Sequence, residues 1–177
     1  MQLTPTPIPG LFSVESSAHS DERGSFRRAW CADAFAQAGL DFTPHQASIS
    51  TNIHLHTLRG MHFQTAPHQE QKLVRCVAGA IHEVALDLRP DSPTFRRFYA
   101  TQLSADQGNA LFLPRGLAHG FLTLTPGAVV EYLIDTAYAP EAASGVRWND
   151  PAFGIDWPAA PQVINPRDAA WPDFPRD

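Results

Sequence analysis

The feature that most limits the fold of this chain is a turn signal that recurs roughly every 10–18 residues between short runs of alternating side chains. Residues 73–78 and 82–88 alternate in this way. The turn signals are Ala78-Gly79, Pro90-Asp-Ser-Pro93, Ala105-Asp-Gln-Gly108 and Thr125-Pro-Gly127. Successive side chains of a strand point to opposite faces, so alternation with a period of two predicts strands. Many short strands at this spacing predict an all-β sandwich or barrel, such as a jelly roll, rather than alternating strands and helices.

Two regions depart from the strand pattern. Residues 33–40 are rich in alanine, with Asp33 near the start and Gly39 near the end, and this stretch predicts the one clear helix. The last 30 residues are rich in Pro, Asp and Trp, and we expect them to wrap the barrel as irregular chain with short helix. Because 177 residues is the length of one ordinary domain, residues 1–177 are predicted to form a single domain.

Charge and hydropathy exclude several classes of protein. The net charge of -5 argues against a nucleic-acid partner, which usually requires a basic surface. No apolar run approaches the ~20 residues of a membrane-spanning helix. The chain starts without the basic residues and apolar run of a signal peptide, so we expect a cytoplasmic protein. The two cysteines, Cys31 and Cys76, are too few for a disulfide framework or a Cys-rich zinc site.

Histidine is the residue type that carries most of the chemical information. There are 8 histidines, and two of them, His62 and His119, follow a glycine within three residues in strand-like sequence. In a small barrel such positions can point inward, where a polar group must be satisfied or functional. One interpretation is a metal site formed by these two with His54 and His56, although no acidic ligand lies near the latter pair.

A second interpretation needs neither metal nor cofactor. The chain also contains the residue types required to remove a proton from a carbon beside a ketone: Arg59, His62, Lys72, Tyr132 and Asp168. Histidine is the usual base near neutral pH, and the enolate that forms needs a cation or a donor at its oxygen. A tyrosine hydroxyl on the other face can return the proton.

Eight motifs then occur in order along nearly the whole chain, over residues 5–175. They are Asp21-Glu-Arg-Gly24, Leu58-Arg-Gly-Met-His-Phe-Gln64, Gln71-Lys-Leu-Val-Arg75, Asp87-Leu-Arg-Pro-Asp-Ser-Pro-Thr-Phe95, Pro114-Arg-Gly-Leu-Ala-His-Gly-Phe121, Tyr138-Ala-Pro-Glu141, Gly145–Pro158 and Asn165-Pro-Arg-Asp168. Through these motifs the chain resembles the dTDP-4-dehydrorhamnose 3,5-epimerase family of the cupin superfamily. The resemblance implies a double-stranded β-helix (the cupin jelly roll), a homodimer, and a reaction without metal or cofactor.

The resemblance also implies the role of individual residues. His62 matches the catalytic base, and Asp168 matches the carboxylate that orients it. Lys72 matches the residue beside the C4 oxygen of the sugar, and Tyr132 matches the acid on the opposite face. The residues that match substrate-binding positions are Arg23 and Arg59 at the diphosphate, Phe26 and Tyr138 near the nucleotide, Gln46 at the base, His119 against the sugar, and Arg167.

The implied function is epimerisation, at C3, C5 or both, of a 4-keto-6-deoxyhexose carried on a nucleoside diphosphate. The chain departs from the family pattern at Arg28, Leu133 and Glu83, which leaves dTDP, CDP, GDP and UDP open as the carrier. Three alternatives remain at this point: a sugar 3,4-ketoisomerase on the same fold, a metal-dependent cupin enzyme, and a non-catalytic sugar-binding module.

Overall fold

A computed structural model describes residues 1–175, so residues 176 and 177 of the predicted single domain lie outside the described residues. The described strands are β1 (Gln2–Pro5), β2 (Phe12–Glu15), β3 (Ala18–Asp21), β4 (Gly24–Arg27), β5 (Gln46–Asn52), β6 (Thr57–Gln64), β7 (Lys72–Ala78), β8 (Ala80–Asp87), β9 (Phe98–Ser104), β10 (Ala110–Leu113), β11 (Leu117–Thr123), β12 (Ala128–Ile134), β13 (Ala143–Gly145) and β14 (Val163–Ile164). The helices are α1 (Ala32–Gln37), α2 (Pro166–Ala169) and a 3₁₀ turn at Pro140–Ala142.

Twelve of these strands form the two sheets of a jelly roll. The first sheet has the order β1-β2-β10-β7-β12-β5, and the second has the order β13-β6-β11-β8-β9. Neighbouring strands run antiparallel, except that β14 pairs in parallel with the start of β6. The strands β3 and β4 form a separate hairpin outside both sheets.

The period-two pattern decides which side chains enter the space between the sheets. On β7, Val74 belongs to the central core, whereas its neighbour Leu73 packs on the outer face of the first sheet. On β8, Ala85 faces the central core, and Val84 packs outward. Both faces of these central strands are therefore partly apolar, which is what a sheet covered on both sides requires.

Each outer face is covered by a different part of the chain. Phe35 of α1 and Phe42 pack against Phe112 of the first sheet, with ring centroids 5.4 and 5.2 Å from the Phe112 ring. The C-terminal segment covers the second sheet, where Phe153 contacts Phe174 at a centroid distance of 5.2 Å. The irregular C-terminal wrap predicted from the sequence is thus present and carries β14 and α2 back to β6.

The strands predicted between residues 73 and 134 correspond to β7–β12, and the helix predicted at residues 33–40 corresponds to α1, which ends at Gln37. The short strands β13 and β14 were not predicted. The four strands before residue 45 were not predicted. Each has only four residues, and the β3–β4 hairpin is almost wholly exposed, so it lacks an apolar face that would produce alternation. Within residues 1–175, no helix is long and apolar enough to cross a membrane.

Candidate active site

Strand alternation places four polar side chains inside the barrel. They are Lys72 on β7, Glu83 on β8, His119 on β11 and Tyr132 on β12. Each lies two residues away from a side chain of the central core, namely Val74, Ala85, Phe121 and Val130. Side chains two apart on a strand share a face, so these polar groups project from the same inner surface as the core.

Three of these side chains, those of Lys72, His119 and Tyr132, meet in a cavity of about 250 Å³ at the mouth of the barrel. The cavity is lined by Ser48, Ser50, Arg59, His62, Lys72, His119, Phe121, Tyr132 and Ile134. Two further cavities adjoin it, because each of them shares His62 with the first. A cavity of about 450 Å³ contains Gln46, Tyr138 and Arg167, and one of about 340 Å³ contains Arg59, Arg167 and Asp168.

Two glycines allow β6 and β11 to approach closely at this site. Gly60 has a φ of +127°, and a Cβ atom there would lie 2.5 Å from the Cα of Gly120. A side chain at either position would push the strands apart. The close approach is next to the cross-strand pair of His62 and His119, whose Cα atoms face each other in the register.

His62 is paired with Asp168, which arrives on the C-terminal segment. The His62 Nε2 atom lies 2.7 Å from Asp168 Oδ1, and the Gly60 N–H donates to Asp168 Oδ2 at 3.1 Å. The one-turn helix α2 holds the carboxylate, and the Asn165 side chain caps it by accepting a hydrogen bond from the Arg167 N–H.

The Asp168 carboxyl is ionised even though it is buried. Burial raises its pKa, but the hydrogen bond and charge of His62, the Gly60 N–H and the Arg167 charge outweigh this effect, so the pKa is lowered. An ionised Asp168 fixes Nε2 of His62 as the nitrogen that carries hydrogen. Nδ1 of His62 is then the ring nitrogen that can take a proton.

His119 and Glu83 form a second imidazole–carboxyl pair, which is buried behind the cavity wall. His119 Nδ1 lies 2.8 Å from Glu83 Oε1, and Glu83 is 0% exposed. Burial raises the pKa of Glu83 well above its ordinary value, and burial together with the charges of Lys72 and His62 lowers the pKa of His119 well below its own. A neutral Glu83 donates its hydrogen to Nδ1, which leaves the hydrogen of the neutral imidazole on Nε2.

Tyr132 stands beside this pair. Its ring is 5.9 Å from the His119 ring in an edge-on arrangement. Burial raises the pKa of Tyr132 far above its ordinary value. The hydroxyl therefore keeps its proton at neutral pH and can act as a proton donor.

The cations of the cavity are held by neighbouring polar groups. Lys72 Nζ lies 2.6 Å from Glu70 Oε1, and the Arg59 Nε–H donates to Asn52 Oδ1 at 2.7 Å. Neither Glu70 nor Asn52 was identified from the sequence. Glu83 could have been identified as a site residue from the sequence, because it shares a face of β8 with the apolar residues Ile81 and Ala85 and therefore faces the core.

Two predicted substrate-binding residues lie apart from the three cavities. Arg23 and Phe26 belong to the β3–β4 hairpin, where the Arg23 side chain is 84% exposed and pairs with Asp21, and Phe26 is 74% exposed. Neither residue lines a cavity that contains His62. Within one chain, the structure does not bring them to the site.

The histidines of the metal interpretation are not gathered in one place. In the part of the chain that the structure describes, no three His, Cys, Asp or Glu side chains are arranged to hold a metal ion. His54 is exposed, and its carbonyl accepts hydrogen bonds from the hydroxyls of Thr57 and Thr123.

Known proteins share both the sequence pattern and this fold. The sequence model of the dTDP-4-dehydrorhamnose 3,5-epimerase family matches residues 5–176. A dTDP-4-dehydrorhamnose 3,5-epimerase from Sinorhizobium fredii is 38% identical over 150 residues, which cover 84% of this chain and 75% of that protein.

Two solved structures superimpose closely on the chain. A dTDP-4-dehydrorhamnose 3,5-epimerase from Bacillus anthracis, with TDP and PPi bound, gives a TM-score of 0.95 at 34% identity and covers 98% of this chain and 99% of that one. A 3'-monoepimerase from Streptomyces bikiniensis, in complex with dTDP-quinovose, gives a TM-score of 0.90 at 36% identity and covers 96% of this chain and 86% of that one. The predicted jelly-roll fold and the predicted enzyme class, an epimerase, are confirmed. The chain belongs to the dTDP-4-dehydrorhamnose 3,5-epimerase family.

Proposed function

We propose that this protein inverts a carbon beside the ketone of a nucleotide-linked 4-keto-6-deoxyhexose, at C3, C5 or both. The observation that carries the proposal is that His62, Lys72 and Tyr132 line one cavity of about 250 Å³. A base, a cation and a protonated phenol are the groups that an inversion through an enolate requires.

The first step is removal of a proton by His62. Nδ1 takes the hydrogen from the sugar carbon, the C–H bond breaks, and its electron pair moves into the ketone to leave a negative charge on the C4 oxygen. Asp168, 2.7 Å from Nε2, stabilises the imidazolium that forms. No electrons leave the sugar, so the step needs no oxidant.

The second step returns a proton to the same carbon from the other face. The Lys72 ammonium and the neutral Nε2–H of His119 stabilise the enolate oxygen, and Tyr132 donates its hydroxyl hydrogen. The resulting phenolate and the imidazolium of His62 exchange protons with water before the next cycle. A net inversion results, and the ketone remains at C4.

The nucleotide occupies the wider cavity beside the sugar. Gln46 contacts the base, the half-exposed Tyr138 ring stacks on it, and Arg59 and Arg167 bind the diphosphate. The relatives named for dTDP-sugars support dTDP as the carrier. In a thermal-shift panel of dTDP, CDP, GDP and UDP, we expect dTDP to raise the melting temperature most.

The β3–β4 hairpin completes the site of a second copy. Arg23 and Phe26 are exposed and do not line the cavities of their own chain. The edge strand β5 exposes Ile49, and Ile53 is exposed directly after it. A homodimer that covers β5 with the hairpin would protect this edge and bring an arginine and an aromatic ring to the nucleotide. We also propose a cytoplasmic location, which the free thiols of Cys31 and Cys76 support.

NMR of the product sugar tests the function. Purified protein is incubated with dTDP-4-dehydro-6-deoxyglucose, and we expect inversion at C3, C5 or both with the carbonyl still at C4. A ketone that moves to C3 would identify a ketoisomerase instead. Binding without any change would identify a sugar-binding module, and activity that chelator removes and a divalent metal restores would identify a metal-dependent enzyme.

A further inference from the structure

We propose that Glu70 is a positioning residue for Lys72: its carboxylate holds the ammonium at the place where the C4 oxygen of the sugar becomes negative. The inference rests on the proposed function, because it concerns the group assigned to stabilise the enolate. It adds a residue to which neither the sequence pattern nor the family resemblance gave a role.

The ion pair between these residues is tight and enclosed. Lys72 Nζ lies 2.6 Å from Glu70 Oε1, and the side chains are 11% and 9% exposed. Both side chains line the cavity of about 450 Å³ that adjoins the sugar site, and Lys72 also lines the sugar site itself. Water screens such a pair poorly, so each charge depends on the other for compensation.

The other oxygen of Glu70 is fixed by Gln64. The Gln64 side-chain amide donates to Glu70 Oε2 at 2.9 Å, and its Oε1 atom accepts the Ala139 N–H at 2.7 Å. Gln64 is 4% exposed and lies two residues after His62 on β6. The Gln64 side chain thus connects β6, which carries His62, to the backbone of Ala139 and to the Glu70 carboxylate that contacts Lys72.

This arrangement leaves the ammonium ready for the sugar. Lys72 has three N–H donors, of which Glu70 engages one. A long lysine side chain has many rotamers, and a fixed carboxylate at its tip restricts them before substrate arrives. The carboxylate itself would oppose a developing negative charge, but the ammonium that contacts it offsets this repulsion.

A different acid offers a matched control. Glu141 pairs loosely with His68 at 3.9 Å, its side chain is 73% exposed, and it lines none of the three cavities, so it resembles Glu70 only in being a glutamate. The variant Glu141→Gln removes the same charge without touching Lys72.

The test compares Glu70→Gln, Glu141→Gln and the wild-type protein by steady-state kinetics. For Glu70→Gln we expect kcat to fall about 10- to 100-fold with KM within about threefold, because ground-state binding is kept and enolate stabilisation is lost. The thermal shift by dTDP should be unchanged in both variants. A Glu70→Gln protein with wild-type kcat would overturn the proposal.

A double-mutant cycle removes the ambiguity of a merely structural effect. In a Lys72→Met background, Glu70→Gln should cause no further fall in solvent-deuterium exchange, since the ammonium that it positions is absent. The doubly substituted protein has lost both charges of the pair, so it is also the variant that folds if Glu70→Gln does not. Equal falls in both backgrounds would show that Glu70 acts independently of Lys72. Absence of exchange in the wild-type protein would instead contradict the proposed function.

Discussion

Glu83 makes the inner wall of the proposed sugar site polar but uncharged, because its side chain is a carboxylic acid rather than a carboxylate. It is fully buried, its Oε1 atom contacts His119, and its Oε2 atom has no hydrogen-bond partner among residues 1–175. An ionised carboxylate with one oxygen unsatisfied would be costly in such a place, whereas a carboxylic acid is tolerated. His119 and Tyr132 beside it are also neutral, so Lys72 is the cation that this wall would present to the proposed enolate.

Substitution of Glu83 by glutamine tests this protonation state. We expect Glu83→Gln to retain kcat within about threefold, because an amide N–H can donate to His119 Nδ1 as the acid does. In Glu83→Ala, kcat should fall by more than about tenfold, since His119 then lacks its hydrogen-bond partner. If Glu83→Gln lowers kcat as much as Glu83→Ala does in the same epimerisation assay, Glu83 acts as an ionised carboxylate, which would contradict its assignment as a neutral acid.

At the scale of elements, the turn after β8 shows how a buried carboxylate can be stabilised instead. Asp87 is fully buried and accepts hydrogen bonds of 2.6–2.8 Å from Arg89, Ser92 and Thr94. Burial raises the pKa of Asp87, but these hydrogen bonds outweigh it and lower the pKa to about 2. The motif over residues 87–95 therefore forms a structural turn rather than part of the active site.

The lowered pKa predicts how stability depends on pH. In the unfolded chain Asp87 titrates near pH ~3.9, so its contribution is complete above that pH and is lost as the pH falls toward about 2. We expect Asp87→Asn to destabilise the protein by about 2 kcal/mol at pH 7. Urea unfolding from pH 7 to pH 2 should show the difference shrink in acid. A constant difference across this range would contradict the assignment.

The sequence predicted the elements whose pattern is local. His119 was expected to point into the barrel because it follows Gly116 within three residues in strand-like sequence, whereas the roles of Lys72 and Tyr132 came from the family resemblance. The β3–β4 hairpin could not be predicted, since its side chains are exposed on both faces. The role of Glu70 could not be predicted either. Glu70 lies in the β6–β7 loop, where no strand pattern fixes the direction of a side chain, and only the folded structure shows its contact with Lys72.

At the scale of the whole molecule, the separation of the hairpin from the cavities has a testable consequence. If the hairpin of one copy completes the site of the other, a chain with Arg23→Ala and a chain with His62→Ala should complement each other. Each heterodimer contains one site with both an intact Arg23 and an intact His62.

Co-expression of the two inactive chains at equal levels should restore about a quarter of the wild-type activity, since half of the dimers are mixed and each has one intact site. The matched control combines His62→Ala with Lys72→Met, both in the cavity of the same chain. That control also pairs two different defects, but its mixed dimers contain no complete site. Equal activity in the two mixtures would contradict a shared site.

Solvent-deuterium exchange tests the proposed roles directly, with His62 as the group that removes the proton and Tyr132 as the group that returns it. The 4-keto sugar is incubated in D₂O with wild-type, His62→Ala and Tyr132→Phe proteins, and deuterium at C3 and C5 is followed by NMR. We expect loss of exchange at both carbons in His62→Ala, and in Tyr132→Phe we expect exchange without inversion at one carbon at least. Normal exchange and inversion in both variants would contradict the proposed roles of His62 and Tyr132.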